Sequence, residues 1–411
     1  MFPADWERLA KESGALKRFR EFQSPASLMR TLLLHLACGY SLCETVTIAQ
    51  ESGLATISDV ALLKRLRHAE PWFQSLCHRV FQEVAVTVPQ ACQGLLIRLV
   101  DATVVPEPGK TGSHWRIHYR LQVPSLQCDY VVMTATKGQG TGESLTQFPS
   151  APNECTIGDR AYSTVRGIAH VHDHGGMVII RLNTGSLPLF HRSGQPFDLL
   201  MAVRALRTAG AMGEWAIGLH PSSGRLLEGR LCAVRKRESA IAQALKRIRR
   251  EASRKQRTVK PETLEFATCV LVVTTVPSPI LDTAQILAWY RMRWQLELAF
   301  KRLKSLAGLG YLPKHDDASA RAWLLGKLFV ALLTQKLLHY ARAISPNEDE
   351  QVKTGPRSEW REFSILFHQM QRAIEPPLDL AALCQHWQGI SASLAEAPRK
   401  RALQLSTRDF S

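Results

Sequence analysis

The chain has 411 residues, of which 45% are hydrophobic and 21% charged, a composition ordinary for a globular protein with room for more than one folded unit. Lys and Arg number 52 against 36 Asp and Glu, a formal net charge of +16 that favours polyanionic partners, nucleic acid first and an anionic membrane surface second. No charge-free run approaches the ~20 apolar residues of a membrane span. The nine cysteines are odd in number, scattered and never in C-x-x-C, which argues against a disulfide framework and a cysteine-based zinc site.

The first residues, MFPADWERLAKESG, show no basic segment leading into an apolar block, so no secretory signal is expected. Together with the cysteine pattern this suits a reducing compartment such as the cytoplasm. Residues 1–90 carry helical periodicity. In PASLMRTLLLHLACGYS, Leu28, Leu32 and Leu36 fall on one side. In the stretch 41–73, Ser41 is placed to cap one helix, Gly53 to break it and Ser58 to cap a second. That second helix carries Lys64, Arg65, Arg67 and His68. Two short helices about a Gly-containing turn, the second one basic, suit a DNA-reading helix-turn-helix, and they suit a plain packing hairpin as well.

The period then changes from helix to strand. GLLIRLVDATVV (94–105), HWRIHYRLQV (114–123), CDYVVMTATK (128–137), ECTIGD (154–159) and GGMVIIRLN (175–183) read as five short strands, with a helix between the last two. This order predicts an α/β fold on a mixed sheet flanked by helices. From 184 to 280, WAIGLH, GRLCAVRKR and TCVLVVTTV read as three more strands, forming a β-rich insertion. Between the last two lies ALKRIRREASRKQRTVK (244–260), either a helix or arm along DNA or a solvated helix. The spacing then predicts one helix over 281–308, capped by Thr283 and stopped at Gly308 and Gly310, and another over about 316–345. A polar linker follows Pro346, then short helical patterns.

Two aspartates stand out by position. Asp101 interrupts an apolar strand, where a charge costs several kcal/mol unless it is paired or metal-bound. Asp159 ends a strand, where side chains of an α/β sheet often face a crevice. Each also has a simpler reading: Asp159 as a helix cap, Asp101 as a backbone acceptor at a bulge. On a continuous helix advancing about 100° per residue, Tyr290, Arg293, Glu297 and Lys304 fall within about 60° of arc, beside an apolar stripe of Leu296, Phe300 and Leu303.

Tyr290, Arg293, Glu297 and Lys304 also match Y-x2-R-x3-E-x6-K, and in this the chain resembles bacterial DDE transposases of the insertion-sequence-4 family. VDATVV at Asp101, HWRIHYRL after it and TIGDRAYS at Asp159 resemble the blocks that hold the family's first two acids, in the same order. The resemblance runs over most of residues 25–340. It implies an RNase H-like core in two parts, 91–183 and 281–345, interrupted by an insertion domain at 184–280. A helical DNA-binding domain at 1–90 precedes the core, and a helical region at 346–411 follows it. It implies that Asp101, Asp159 and Glu297 are catalytic and hold two Mg²⁺, with Mn²⁺ able to substitute. Tyr290, Arg293 and Lys304 would clamp phosphates, with Lys301, Arg160, Lys64, Arg65 and Arg67 as further DNA contacts. The expected function is cleavage of transposon ends and joining of the 3′-OH to target DNA. The expected partners are double-stranded DNA and, during synapsis, a second copy of the chain, with no membrane. A catalytically silent DNA-binding relative and an RNase H-fold nuclease are the alternatives.

Overall fold

The computed structural model describes residues 2–16, 20–86, 94–106, 114–123, 125–220, 224, 226–310, 312–313, 316–344 and 359–377. In chain order, five helices come first: α1 (Trp6–Glu12), α2 (Pro25–Leu36), α3 (Leu42–Glu51), α4 (Asp59–His68) and α5 (Glu70–Val86). Strands β1 (Leu96–Pro106), β2 (His114–Val123), β3 (Gln127–Ala135) and β4 (Glu154–Gly158) follow, then α6 (Val165–Asp173) and β5 (Met177–Arg181). Next are α7 (Leu199–Ala205), β6 (Met212–Leu219), β7 (Leu227–Arg235), α8 (Glu238–Arg254), α9 (Pro261–Phe266) and β8 (Cys269–Thr274). The chain closes with α10 (Thr283–Arg291), α11 (Trp294–Ser305), α12 (Asp317–Ile344) and α13 (Glu359–Ile374). Every strand expected from the sequence is present among them.

These elements pack as two compact units, one formed by residues 1–80 with the described part of 302–411, the other by residues 81–301. In the first unit α12 lies against α2, α4 and α13. The reason is local: α12 buries Leu324, Leu328, Phe329, Val330, Leu332 and Leu333, too many for a single face, so it needs neighbours on several sides. At Gly326 an added Cβ would lie 2.5 Å from a Leu36 methyl, which shows how closely α2 approaches. Both predicted caps form. The Ser41 and Ser58 side chains accept the Glu44 and Ala61 amides, and Gly53 turns between the helices at φ +67.

The second unit is built on one eight-stranded sheet of order β3-β2-β1-β4-β5-β8-β7-β6. β1, β2 and β3 form an antiparallel meander, while β4 and β5 run parallel to β1 beside it. This mixed order, helices on both faces, is the RNase H-like architecture. The strands of the 184–280 stretch do not make a sheet of their own. β8 pairs antiparallel with β5, and β7 and β6 extend the same sheet outward. β4 lies at the centre and is buried along its whole length, as a parallel strand covered on both faces should be. On one face Val100, Tyr162, Ile168, Val171, Val178 and Ile180 share a core. On the opposite side, Tyr119 of β2 meets Phe300 of α11, ring centroids 5.8 Å apart.

Candidate active site

β1 and β4 run parallel with Leu99 opposite Ile157 as their last aligned pair. Two residues further along each strand stand Asp101 and Asp159. A shift of two keeps a side chain on the same face, and neighbouring strands lie about 4.8 Å apart, so the register brings both carboxylates to one end of the sheet. Asp101 also pairs with Tyr119 in the antiparallel ladder to β2, which turns it toward the side where Phe300 packs. The simpler readings of both acids are also realised. Asp101 Oδ1 accepts the Ala102 amide at 2.8 Å, and Asp159 Oδ1 caps a single helical turn by accepting the Ala161 amide at 2.7 Å. A second oxygen remains on each for other work.

Glu297 arrives on α11, but the helix expected over 281–308 is broken. α10 ends at Arg291, and α11 starts at Trp294. The residues between make three-residue turns, Leu296 N donating to Arg293 O at 3.0 Å. The N-cap is Asp282, in a reciprocal box with Gln285, and not the Thr283 expected. Tyr290 and Arg293 therefore do not share one straight helix with Glu297. Arg293, at the break, still reaches both acids. Its Nη2 donates to Glu297 Oε1 at 2.5 Å and its Nη1 lies 3.4 Å from Asp101 Oδ2. One guanidinium thus spans the first and third acids. Burial alone would lower the Arg293 pKa, but the Glu297 hydrogen bond, Tyr290 and Asp101 together raise it.

Burial pushes the Asp101 carboxyl up to about 7, Asp159 and Glu143 adding to the push while the Ala102 amide and Arg293 oppose it. Glu143 is a fourth acid that the sequence reading missed. It sits between β3 and β4, its own carboxyl raised by burial and by Asp159, with the Arg116 Nε 3.5 Å from its Oε1. Tyr162 completes the group. It is fully buried, its hydroxyl has no hydrogen-bond partner among the described residues, and burial, Asp101, Glu143 and Asp159 all raise its pKa. Gly158 makes room for it: a Cβ there would lie 3.3 Å from Tyr162 Cβ and 3.0 Å from an Ile180 methyl.

Residues 93–333 match the family described as the transposase DDE domain. The InsL protein of insertion sequence element IS186A from Escherichia coli K12 is 33% identical over 344 residues, covering 82% of this chain and 91% of that protein. The transposase for insertion sequence element IS421 from Escherichia coli is 33% identical over 345 residues, with the same two coverages. The chain belongs to the DDE transposases, in the insertion-sequence-4 family. Among solved structures, the catalytic domain of human endonuclease V overlaps 57% of the chain at 13% identity with a TM-score of 0.27.

A transposase of this family depends on divalent metal. The side chains suit a hard cation: they are carboxylate oxygens, that of Asp101 partly buried, beside a buried phenol. A cation already lies between two of them, the Arg293 guanidinium. Among the described residues, no three acidic, histidine or cysteine side chains are grouped closely enough to hold an ion.

The other expected DNA contacts of the transposase divide by surroundings. Tyr290, Arg293 and Arg160 line one cleft with Asp159. Lys304 is exposed on α11, and Lys301 is exposed with its ammonium 5.5 Å from the Trp294 ring centroid. On α4, Lys64 is exposed, whereas Arg65 pairs with Glu21 at 2.5 Å and Arg67 with Asp316 at 3.0 Å. Two further arginines, on β2, are held within the fold: Arg116 by Glu143 and the Thr141 carbonyl, Arg120 by Asp129 at 2.8 Å. The described cysteines are free thiols, and no helix among the described residues is long and apolar enough to cross a membrane.

Proposed function

We propose that Asp101, Asp159 and Glu297 hold two Mg²⁺ and that the transposase cuts the ends of an insertion sequence and joins the freed 3′-OH to target DNA in this one site. The observation that carries the reading is the register of β1 and β4, which aligns Asp101 with Asp159, together with the Arg293 link from Asp101 to Glu297. When bound, the metal pair supplies a nucleophile activated near neutral pH and stabilises the leaving oxygen. The protein's own groups do the rest. Asp101, in its buried setting, gives up its proton to receive a cation. Arg293 exchanges its carboxylates for a phosphate of the transposon end, presenting a planar fork to the oxygens. Tyr290, in the same cleft, fixes that strand, and the Tyr162 hydroxyl donates toward the carboxylate group from within the core.

Among the basic residues of α4, exposed Lys64 carries the proposal of DNA contact, while Arg65 and Arg67 act first through Glu21 and Asp316. Synapsis of two ends calls for a dimer during reaction. The test is a duplex copied from the DNA bordering the reading frame, incubated with Mg²⁺ and a target plasmid. Cutting and joining by the parent, both lost in Asp101→Asn, Asp159→Asn and Glu297→Gln with binding retained, support the reading. Binding without cutting by the parent points to a silent relative, and cutting without joining to a nuclease.

A further inference from the structure

The second unit holds a cleft of about 630 Å³ beside the carboxylates, large enough to enclose a drug-sized ligand. Asp159, Tyr290 and Arg293 form its catalytic wall. Lys236, just past the end of β7, Gln243 and Arg247 of α8, and Arg181, the last residue of β5, also line it. The lining positions of α8 are 240, 243, 244 and 247, one stripe at helical spacing, with Ala240 and Ala244 leaving space between the longer side chains. The basic run that the sequence offered as either a solvated helix or a DNA arm therefore presents a defined face to the site.

The charges on that wall are uncompensated. Among the described residues, Arg181, Lys236 and Arg247 make no ion pair. Glu251, one turn past Arg247, is taken by Lys255 at 2.6 Å. Lys236 donates to the Ala267 carbonyl at 2.7 Å, which anchors the ammonium without neutralising it. Burial first, then Arg181 and, to a lesser degree, Arg247 push its pKa down to about 8, with Cys269 opposing. A smaller cavity of about 140 Å³ continues beneath α8 and is lined by Arg160, Arg181, Lys236 and Arg247 again. Cations gathered without partners in a concave site raise the local potential for an anion, and a phosphodiester relieves their mutual repulsion.

We infer that this cleft binds a backbone phosphate of the DNA strand running on from the scissile bond, with Arg247 and Lys236 as contacts supplied by the inserted segment. The inference rests on the transposase reading and adds a place and a direction to it: the strand passes Asp159 toward α8. Gln243 is positioned to donate to the same backbone without adding charge.

The experiment pairs Arg247→Glu and Lys236→Gln with end duplexes in which one phosphate at a time near the cut is a neutral methylphosphonate. Binding is measured in EDTA and cutting in Mg²⁺. Neutralising one or two phosphates next to the scissile bond should weaken parent binding by about tenfold, as expected for a charge-assisted contact. Arg247→Glu and Lys236→Gln should be weakened by as much on native DNA and lose nothing further on those substituted duplexes, while remaining sensitive elsewhere. Arg247 is exposed, so Arg247→Glu should melt with the parent. Variants that lose affinity equally at every substituted position, or that bind and cut as the parent does, overturn the cleft assignment alone. A parent that neither selects nor cuts the end duplex overturns the transposase reading beneath it.

Discussion

Arg293 reaches Asp101 across the fold: its Nη1 lies 3.4 Å from Asp101 Oδ2, 192 positions earlier in the chain, while Nη2 holds Glu297 at 2.5 Å. Without DNA, the guanidinium therefore stands where a cation would join the first and third acids. Removing it frees both carboxylates for metal and leaves their repulsion uncancelled. Arg293→Ala should bind Mn²⁺ more tightly than the parent in DNA-free solution, by about tenfold if the two interactions contribute on the order of 1–2 kcal/mol. The same variant should cut end duplexes far more slowly, having lost its phosphate contact. Calorimetric titration with Mn²⁺ decides the matter: equal or weaker metal affinity in the variant rejects the exchange between guanidinium and metal.

Asp101 makes stability depend on pH. Its folded pKa is about 7, above the unfolded value of 3.8, so the folded state favours the protonated acid. The contribution is fully present below pH 3.8 and is lost as pH rises through 7. In metal-free protein, Asp101→Asn should melt above the parent at pH 8, the gap closing toward pH 4, with a difference on the order of a few kcal/mol at most. Mg²⁺ should raise the parent's melting temperature at pH 8 and leave that of the variant nearly unchanged. A gap independent of pH would mean that Asp101 lies in a more polar setting.

Much of this was legible in the chain because local rules decided it. The strands declared themselves by period, Ser41 and Ser58 by cap chemistry, and Asp101 by interrupting an apolar run. The break at Met292–Arg293 was not legible, since MRWQ holds neither Gly nor Pro and helical periodicity runs straight through it. Glu143 was missed for a different reason. It lies in a Gly-rich stretch with no periodic pattern, and only tertiary folding brings it beside Arg116 and buries it. The joining of β6–β8 to the core sheet likewise depends on the long-range pairing of β5 with β8, which no local pattern encodes.

Tyr162 separates folding from chemistry. Its buried hydroxyl has no partner among the described residues, so it costs stability wherever it is not put to use. Tyr162→Phe should therefore be as stable as the parent or more so, by about 1 kcal/mol, in metal-free solution. If the hydroxyl donates into the loaded site, the same change should slow end cutting while leaving DNA affinity alone. Loss of stability in Tyr162→Phe would show that the hydroxyl has a structural partner.

Lys64 and Arg67 sit three residues apart on α4 and should answer differently to the same substitution. Arg67 is held by Asp316 at 3.0 Å and by the Ser319 hydroxyl at 2.8 Å, contacts that tie α4 to the start of α12. Arg67→Ala should lower the melting temperature, by the equivalent of about 1 kcal/mol, since the pair is partly exposed. Lys64 is exposed and makes no ion pair among the described residues, so Lys64→Ala should leave melting unchanged. If α4 lies on DNA, Lys64→Ala should weaken end binding at every sequence alike and lower the salt dependence by about one counterion. Unchanged affinity and salt slope in Lys64→Ala would make the α3–α4 pair a packing hairpin, leaving the DNA contacts of this transposase to the second unit.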